Sequence, residues 1–154
     1  MNNISVNLYG DESELAEAIC NYIVSKSIES TEERGRFTLA VTADRALFLF
    51  ARVATKEPFA SFVNWSSWWI FFIDDYCLPL THSQTNYKKV NDALLQHISI
   101  PEMQVFPAYD PSSELDDKGS SCENAALNYE KQVSFGWALI SPDSQPPSPP
   151  ALYP

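Results

Sequence analysis

The sequence predicts an α/β fold, a mostly parallel sheet with helices on its faces, and three observations carry that prediction. Strand-like apolar runs alternate with segments of helical period, in the order βαβαβαβα. One run, Trp65-Ser66-Ser67-Trp68-Trp69-Ile70-Phe71-Phe72-Ile73, is apolar on both faces and stops at Asp74-Asp75, as a buried parallel strand with a polar carboxyl end would. The chain is 154 residues long and 45% hydrophobic, enough for one domain with a real core.

Each element has its own signal. Ile4, Val6 and Leu8 alternate with polar residues before Gly10, which predicts a short half-buried strand. Asp11 with Glu14 forms a capping-box-like start, and Leu15, Ala18, Ile19, Tyr22 and Ile23 continue it as an amphipathic helix ending between Ser30 and Gly35. Phe37-Thr38-Leu39-Ala40-Val41-Thr42 is a β-rich run, and the almost wholly apolar stretch from Ala46 to Ala54 reads as a buried helix. After the strand that ends at Asp74-Asp75, a loop leads to Thr85 or Asn86. Either can cap a helix with Tyr87, Val90, Leu94, Leu95 and Ile98 on its inner face, closed by Pro101. Val105-Phe106-Pro107-Ala108 is a short strand, 110–121 is loop by composition, and Ala125, Ala126, Tyr129 and Val133 mark one more helix. Phe135-Gly136-Trp137-Ala138-Leu139-Ile140 is a candidate fifth strand. Beyond it, residues 141–154 hold 6 of the 11 prolines and read as a disordered tail, so the domain is expected to span 1–140.

Composition excludes several function classes. With 20 acidic and 10 basic side chains the formal charge is −10, which offers little to a nucleic-acid backbone. No run of about 18 apolar residues exists to span a bilayer, so no membrane partner is expected. The amino terminus resembles neither a secretory signal nor a transit peptide, and Cys20, Cys77 and Cys122 are odd in number and far apart. The expectation is a cytoplasmic protein with reduced thiols. The four glycines are scattered, leaving no nucleotide-binding fingerprint, and no His, Cys or acidic cluster has metal-ligand spacing, so neither cofactor nor metal is expected. The aromatic cluster before Asp74 alternates across its strand and reads as core.

Chemistry is best placed at that strand's end. Asp74 and Asp75 can share general acid/base work, and a solvated turn with a capping role is the plainer reading. His82, in the loop that follows, is a better proton shuttle than His97, which sits on a helix.

Four segments taken in order resemble a known family. They are Gly35-Arg36-Phe37-Thr38-Leu39-Ala40-Val41, the aromatic strand ending in Asp74-Asp75, Thr85-Asn86-Tyr87-Lys88, and Leu94-Leu95-Gln96-His97-Ile98-Ser99-Ile100-Pro101 followed by Glu102-Met103-Gln104-Val105. Together they resemble the 6-phosphogluconolactonase family, whose members carry a strand ending in Ser-Gly-Gly-Ser, a second ending in Asp-Glu-Arg, a Ser-Asn-Tyr helix start and a helix closing on Ile-Pro. The match runs from residue 4 to residue 133. It implies a Rossmann-like fold truncated at its C-terminus, with helices on both faces of the sheet, and hydrolysis of 6-phospho-D-glucono-1,5-lactone in the oxidative pentose phosphate pathway. A phosphorylated sugar lactone is the implied partner, and Thr42, Asp74, Asn86 and Lys88 are the implied substrate-binding positions. Each also has a plain structural reading: strand-end turn, cap, N-cap and solvated helix face.

The departures fall on the family's functional positions. Thr42-Ala43-Asp44-Arg45 stands in place of Ser-Gly-Gly-Ser, and Asp74-Asp75-Tyr76 in place of Asp-Glu-Arg. The family's Gly-x-Gly-x-Asp-Gly-His segment, with its general-base histidine, has no counterpart: Ser144-Gln145 stand where Gly-His would. No catalytic residue is therefore intact, with Asp74 and His82 the remaining candidates, and impaired activity is expected. The rest looks like a truncation or a foreign reading frame, and a parallel sheet cut there would expose an apolar edge open to self-association. Two alternatives stand beside the lactonase: a non-catalytic paralogue that binds phosphosugar or a homologous partner, and a relative of glucosamine-6-phosphate deaminase. The latter resemblance rests on Asp74-Asp75-Tyr76, Leu78-Pro79 and His82.

Overall fold

The computed structural model describes residues 6–109 and 126–134. Helix α1 (Glu12–Arg34) starts as its sequence predicts: the Glu14 amide donates to the Asp11 carboxylate at 2.9 Å, and the Gly10 amide donates back to the Glu14 side chain at 2.8 Å. It stops at Gly35, which takes the left-handed conformation (φ 73°) and donates its N–H to the Thr31 carbonyl. Strand β1 (Phe37–Val41), helix α2 (Arg45–Ala54), a short helix α3 (Phe59–Phe62), strand β2 (Trp68–Phe72), helix α4 (Asn86–Ala93) and strand β3 (Val105–Phe106) follow. Residues 126–134 are helical, as read from Ala126, Tyr129 and Val133.

The sheet runs β1-β2-β3, all parallel, with Phe37 opposite Trp68 and Val41 opposite Phe72, then Ile70 opposite Val105. The α/β class with a parallel sheet is therefore the observed one. Each crossover passes through a helix, and two right-handed crossovers stepping the same way along a sheet bring α2 and α4 to the same face. On that face Trp68, Ile70 and Phe72 are all but inaccessible. Phe50 of α2 stacks on Trp68 at 6.0 Å, Phe37 meets the same ring edge-on at 4.7 Å, and Tyr87 of α4 lies 5.5 Å from Phe72. The opposite face carries Trp69, Phe71 and Phe106, with Phe106 stacked on Phe71 at 4.5 Å. Tyr129 ties the 126–134 helix to the sheet by donating to the Phe72 carbonyl.

Three expectations are corrected. Residues 6–9 form no strand, and Val6 and Leu8 are 76% and 91% exposed. Alternation supplies one apolar face but no neighbour to pair with, and a strand needs both. The aromatic strand begins only at Trp68, because Trp65–Ser67 is a 3₁₀ turn: the Ser66 hydroxyl donates to the Asn64 side chain and the Ser67 hydroxyl to the Asn64 carbonyl. Local side-chain bonds of this kind compete with a sheet ladder. In α1 the buried line is Ala16, Cys20, Val24, Ser27 and Ser30, while Tyr22 is exposed. Small residues let α1 lie close against α2 and β1, so its bulkier Ile19 and Ile23 flank the contact instead of filling it.

Ile4, loop 110–121, Ala125, the strand read at Phe135 to Ile140 and the proline-rich 141–154 lie outside the described residues. Among the described residues no helix is long and apolar enough to cross a membrane.

Burial of Cys20 pushes its thiol up to about 11, whereas Cys77 is exposed. The thiolate is the reactive form. Alkylation at pH 8 followed by peptide mapping is expected to mark Cys77 within minutes and Cys20 only under denaturing conditions. Equal labelling of the two in native protein would contradict the packing of α1.

Candidate functional site

Strands β1 and β2 are parallel and in register, so their carboxyl ends bring Thr42-Ala43-Asp44 and Asp74-Asp75 to one edge of the sheet. The Ile73 amide donates to the Val41 carbonyl at 2.8 Å, extending the pairing to the start of these loops. In a parallel α/β sheet this is the edge where ligands sit, because helices begin there and leave amide N–H groups unpaired.

At α4, those groups are held by Asp75. One carboxylate oxygen accepts from the amides of Tyr76 and Asn86, both at 2.7 Å, and the other accepts from Tyr87 at 2.9 Å. In return the Asn86 side-chain amide donates to the Asp74 carbonyl at 3.1 Å. The end of β2 and the start of α4 are thus clasped from both sides. Thr85, fully buried, completes the cap: its hydroxyl oxygen accepts from the Lys88 amide at 3.2 Å and its proton reaches the His82 carbonyl at 2.8 Å. Of the two cap candidates Thr85 and Asn86 it is Thr85 that caps α4, and of the acid pair it is Asp75, not Asp74, that holds the helix start. Asp74 is left exposed at the edge, its backbone fixed by its neighbours.

The other candidates lie as follows. Thr42 directly follows β1, half-buried, and its carbonyl accepts from the Asp44 amide at 2.9 Å. Asp44 N-caps α2, accepting from the Leu47 amide at 2.8 Å. A cavity of about 190 Å³ opens beside them, lined by Ile19, Ile23, Leu39, Thr42, Asp44 and Ile73. Lys88 turns along α4 to an ion pair with Asp92 at 2.5 Å. His82 is exposed, and its Nδ1 accepts from the Gln84 amide at 3.2 Å. His97 stands on the 3₁₀ turn after α4, its Nε2 3.1 Å from the Asp92 carbonyl.

Arg45, the first residue of α2, is paired to Glu12 at 2.6 Å, and Arg52 holds the same carboxylate at 2.9 Å. Hydrogen bonding from Arg45 and then Arg52 holds the Glu12 carboxyl below its usual range, and this bridge joins α1 to α2. Among the described residues no group of three or more His, Cys, Asp or Glu side chains is arranged to hold a metal ion.

Sequence reasoning found Thr42, Asp74, Asp75 and Asn86 at this edge and did not give Asp44 its cap. For Asp44 a signal was present, an acid immediately before an apolar helix. For Asp75 the acid pair marked a capping turn but not which helix start it would hold, since the α4 amides lie 11 and 12 residues on.

Comparison with known proteins shows the family and the fold. The family model described as glucosamine-6-phosphate isomerases/6-phosphogluconolactonase matches residues 10–146. A rice protein (Oryza sativa subsp. indica) named "Probable 6-phosphogluconolactonase 3, chloroplastic" is 33% identical over 123 residues, covering 80% of this chain and 35% of the relative. An Arabidopsis thaliana protein named "Probable 6-phosphogluconolactonase 4" is 28% identical over 124 residues, covering 80% of this chain and 46% of the relative. The crystal structure of 6-phosphogluconolactonase from Thermotoga maritima superposes with a TM-score of 0.64 at 20% identity, over 79% of this chain and 50% of that one, a likeness of fold. The chain spans between a third and a half of the length of these proteins. By sequence model and by fold, it belongs to the glucosamine-6-phosphate isomerase/6-phosphogluconolactonase family.

Proposed function

We propose that this chain binds a phosphorylated sugar lactone, 6-phospho-D-glucono-1,5-lactone, and its product acid at the carboxyl edge of the sheet, and that it hydrolyses the lactone only weakly. The observation that carries the reading is the clasp of Asp75 and Asn86, which presents Asp74 and Thr42 on one rigid edge in a chain of this family. Hydrolysis requires water to attack the lactone carbonyl while a base takes its proton. The ring C–O bond then breaks, and its oxygen is protonated to a hydroxyl. Asp74 is the base this edge offers, and His82 is the second candidate. Ser144-Gln145, in place of the family's Gly-His, support impairment or a purely binding role.

We further place the chain in the cytosol on its widely spaced cysteines, although the rice relative's name says chloroplastic. One domain over 1–140 with a proline-rich tail, and self-association through the open sheet edge, belong to the same proposal.

The test is hydrolysis of freshly prepared lactone, read through a coupled dehydrogenase with the spontaneous rate subtracted, together with calorimetric titration of 6-phosphogluconate. Binding is expected, with a small excess rate that Asp74→Asn reduces about a hundredfold, the lower end of the usual range for losing a general base. A chain that neither binds the acid nor accelerates hydrolysis would refute the reading.

A further inference from the structure

We propose that Asp44 sets the charge preference of this site, weakening its hold on the phosphorylated ligand relative to the same sugar acid without phosphate. The inference rests on the binding proposed above and adds a specificity-determining residue to it. The start of α2 opens at the carboxyl end of β1, beside the cavity that Thr42 and Asp44 line. A helix start in that position ordinarily attracts anions, through unpaired amides and the positive end of its dipole. Here a carboxylate of the chain already sits there: Asp44 takes the Leu47 amide at 2.8 Å and brings a full negative charge to the cavity wall. The nearby cations offset it only in part: Lys88 is paired with Asp92 at 2.5 Å, and Arg45 and Arg52 share the Glu12 carboxylate at 2.6 and 2.9 Å, while Lys89, on the Gln84 carbonyl at 2.9 Å, keeps its charge. Asp74 and Asp75 add two further acids to the same edge. A phosphate dianion entering beside Asp44 is repelled by its carboxylate, whereas an unphosphorylated sugar lactone meets no such repulsion and the acid only that on its single carboxylate.

Two variants separate charge from folding. Asp44→Asn keeps a good N-cap and removes the charge, because asparagine caps as well as aspartate. Glu12→Gln leaves Asp44 in place and frees Arg45 at the mouth of α2. Titration of gluconate and 6-phosphogluconate into the native chain is expected to give affinities within about tenfold of each other. Asp44→Asn is expected to tighten 6-phosphogluconate about tenfold and gluconate by less than about threefold, and Glu12→Gln to move 6-phosphogluconate the same way by a smaller factor. Both gains are expected to shrink as salt is raised. If both acids bind but neither variant changes their ratio, or if the native chain already prefers the phosphorylated acid by more than about a hundredfold, the role of Asp44 is overturned while the binding site stands. If neither acid binds to any of the three proteins, the site itself is refuted, and the role of Asp44 with it.

Discussion

Replacing Trp68 with alanine is expected to cost about 3–5 kcal/mol, the range for deleting a buried large aromatic, and so to consume a large fraction of the stability of a domain this size. Trp68 is 1% exposed at the head of the central strand. Its ring is shared by Phe37 of β1, Phe50 of α2 and Trp65 of the preceding turn, so its loss opens a cavity between three elements that cannot all close on it. Trp69 is next in sequence but faces the other side, half-buried and stacked on Phe106 at 5.8 Å. Trp69→Ala is expected to cost less than half as much. Urea unfolding followed by far-ultraviolet circular dichroism measures both, and equal costs would mean that the two faces of β2 are packed alike.

The second large effect is local to the site. Asp75→Ala removes a carboxylate that holds three amides, two of them at the start of α4, and is expected to cost about 2–3 kcal/mol, more than a single N-cap because the bonds are charge-assisted. Asp75→Asn keeps one acceptor oxygen but turns an NH₂ group toward an amide donor, so an intermediate loss is expected. Asp74→Ala, at the exposed neighbour, is expected to stay within about 0.5 kcal/mol, as for other surface positions. Hydrogen exchange gives the sharper reading: the Asn86 and Tyr87 amides are expected to lose protection in Asp75→Ala and to keep it in Asp74→Ala. If the two alanine variants were equally destabilised, the clasp would not be what fixes this edge.

The contrast between Asp74 and Asp75 also marks how far the sequence could be read. An acid pair at the end of an apolar run locates the strand end and the ligand edge, because a parallel strand buried on both faces is apolar up to the point where it leaves the sheet. Which of the two acids turns inward depends on where α4 begins in space, 11 residues later. Lys88 makes the same point: its position in the Thr85-Asn86-Tyr87-Lys88 segment matches a binding motif, but helical geometry carries its ammonium to Asp92 one turn on. His82 is held by its own loop through the Gln84 amide, a contact that no pattern announces.

By itself the sequence determined the succession of the main helices and strands from Asp11 to Phe106, though not the short α3, together with the cap at Asp11, the choice of Thr85 or Asn86 at the start of α4, and the edge on which chemistry would sit. These follow from local bonding and from apolar period, which act within a few residues of chain. Tertiary structure alone decided that residues 6–9 form no strand, that α1 turns its small residues inward, and that Asp75 is spent on the start of α4. Each of those outcomes depends on a partner distant in sequence or on how closely two backbones approach, and neither quantity is written in the spacing of residues along the chain.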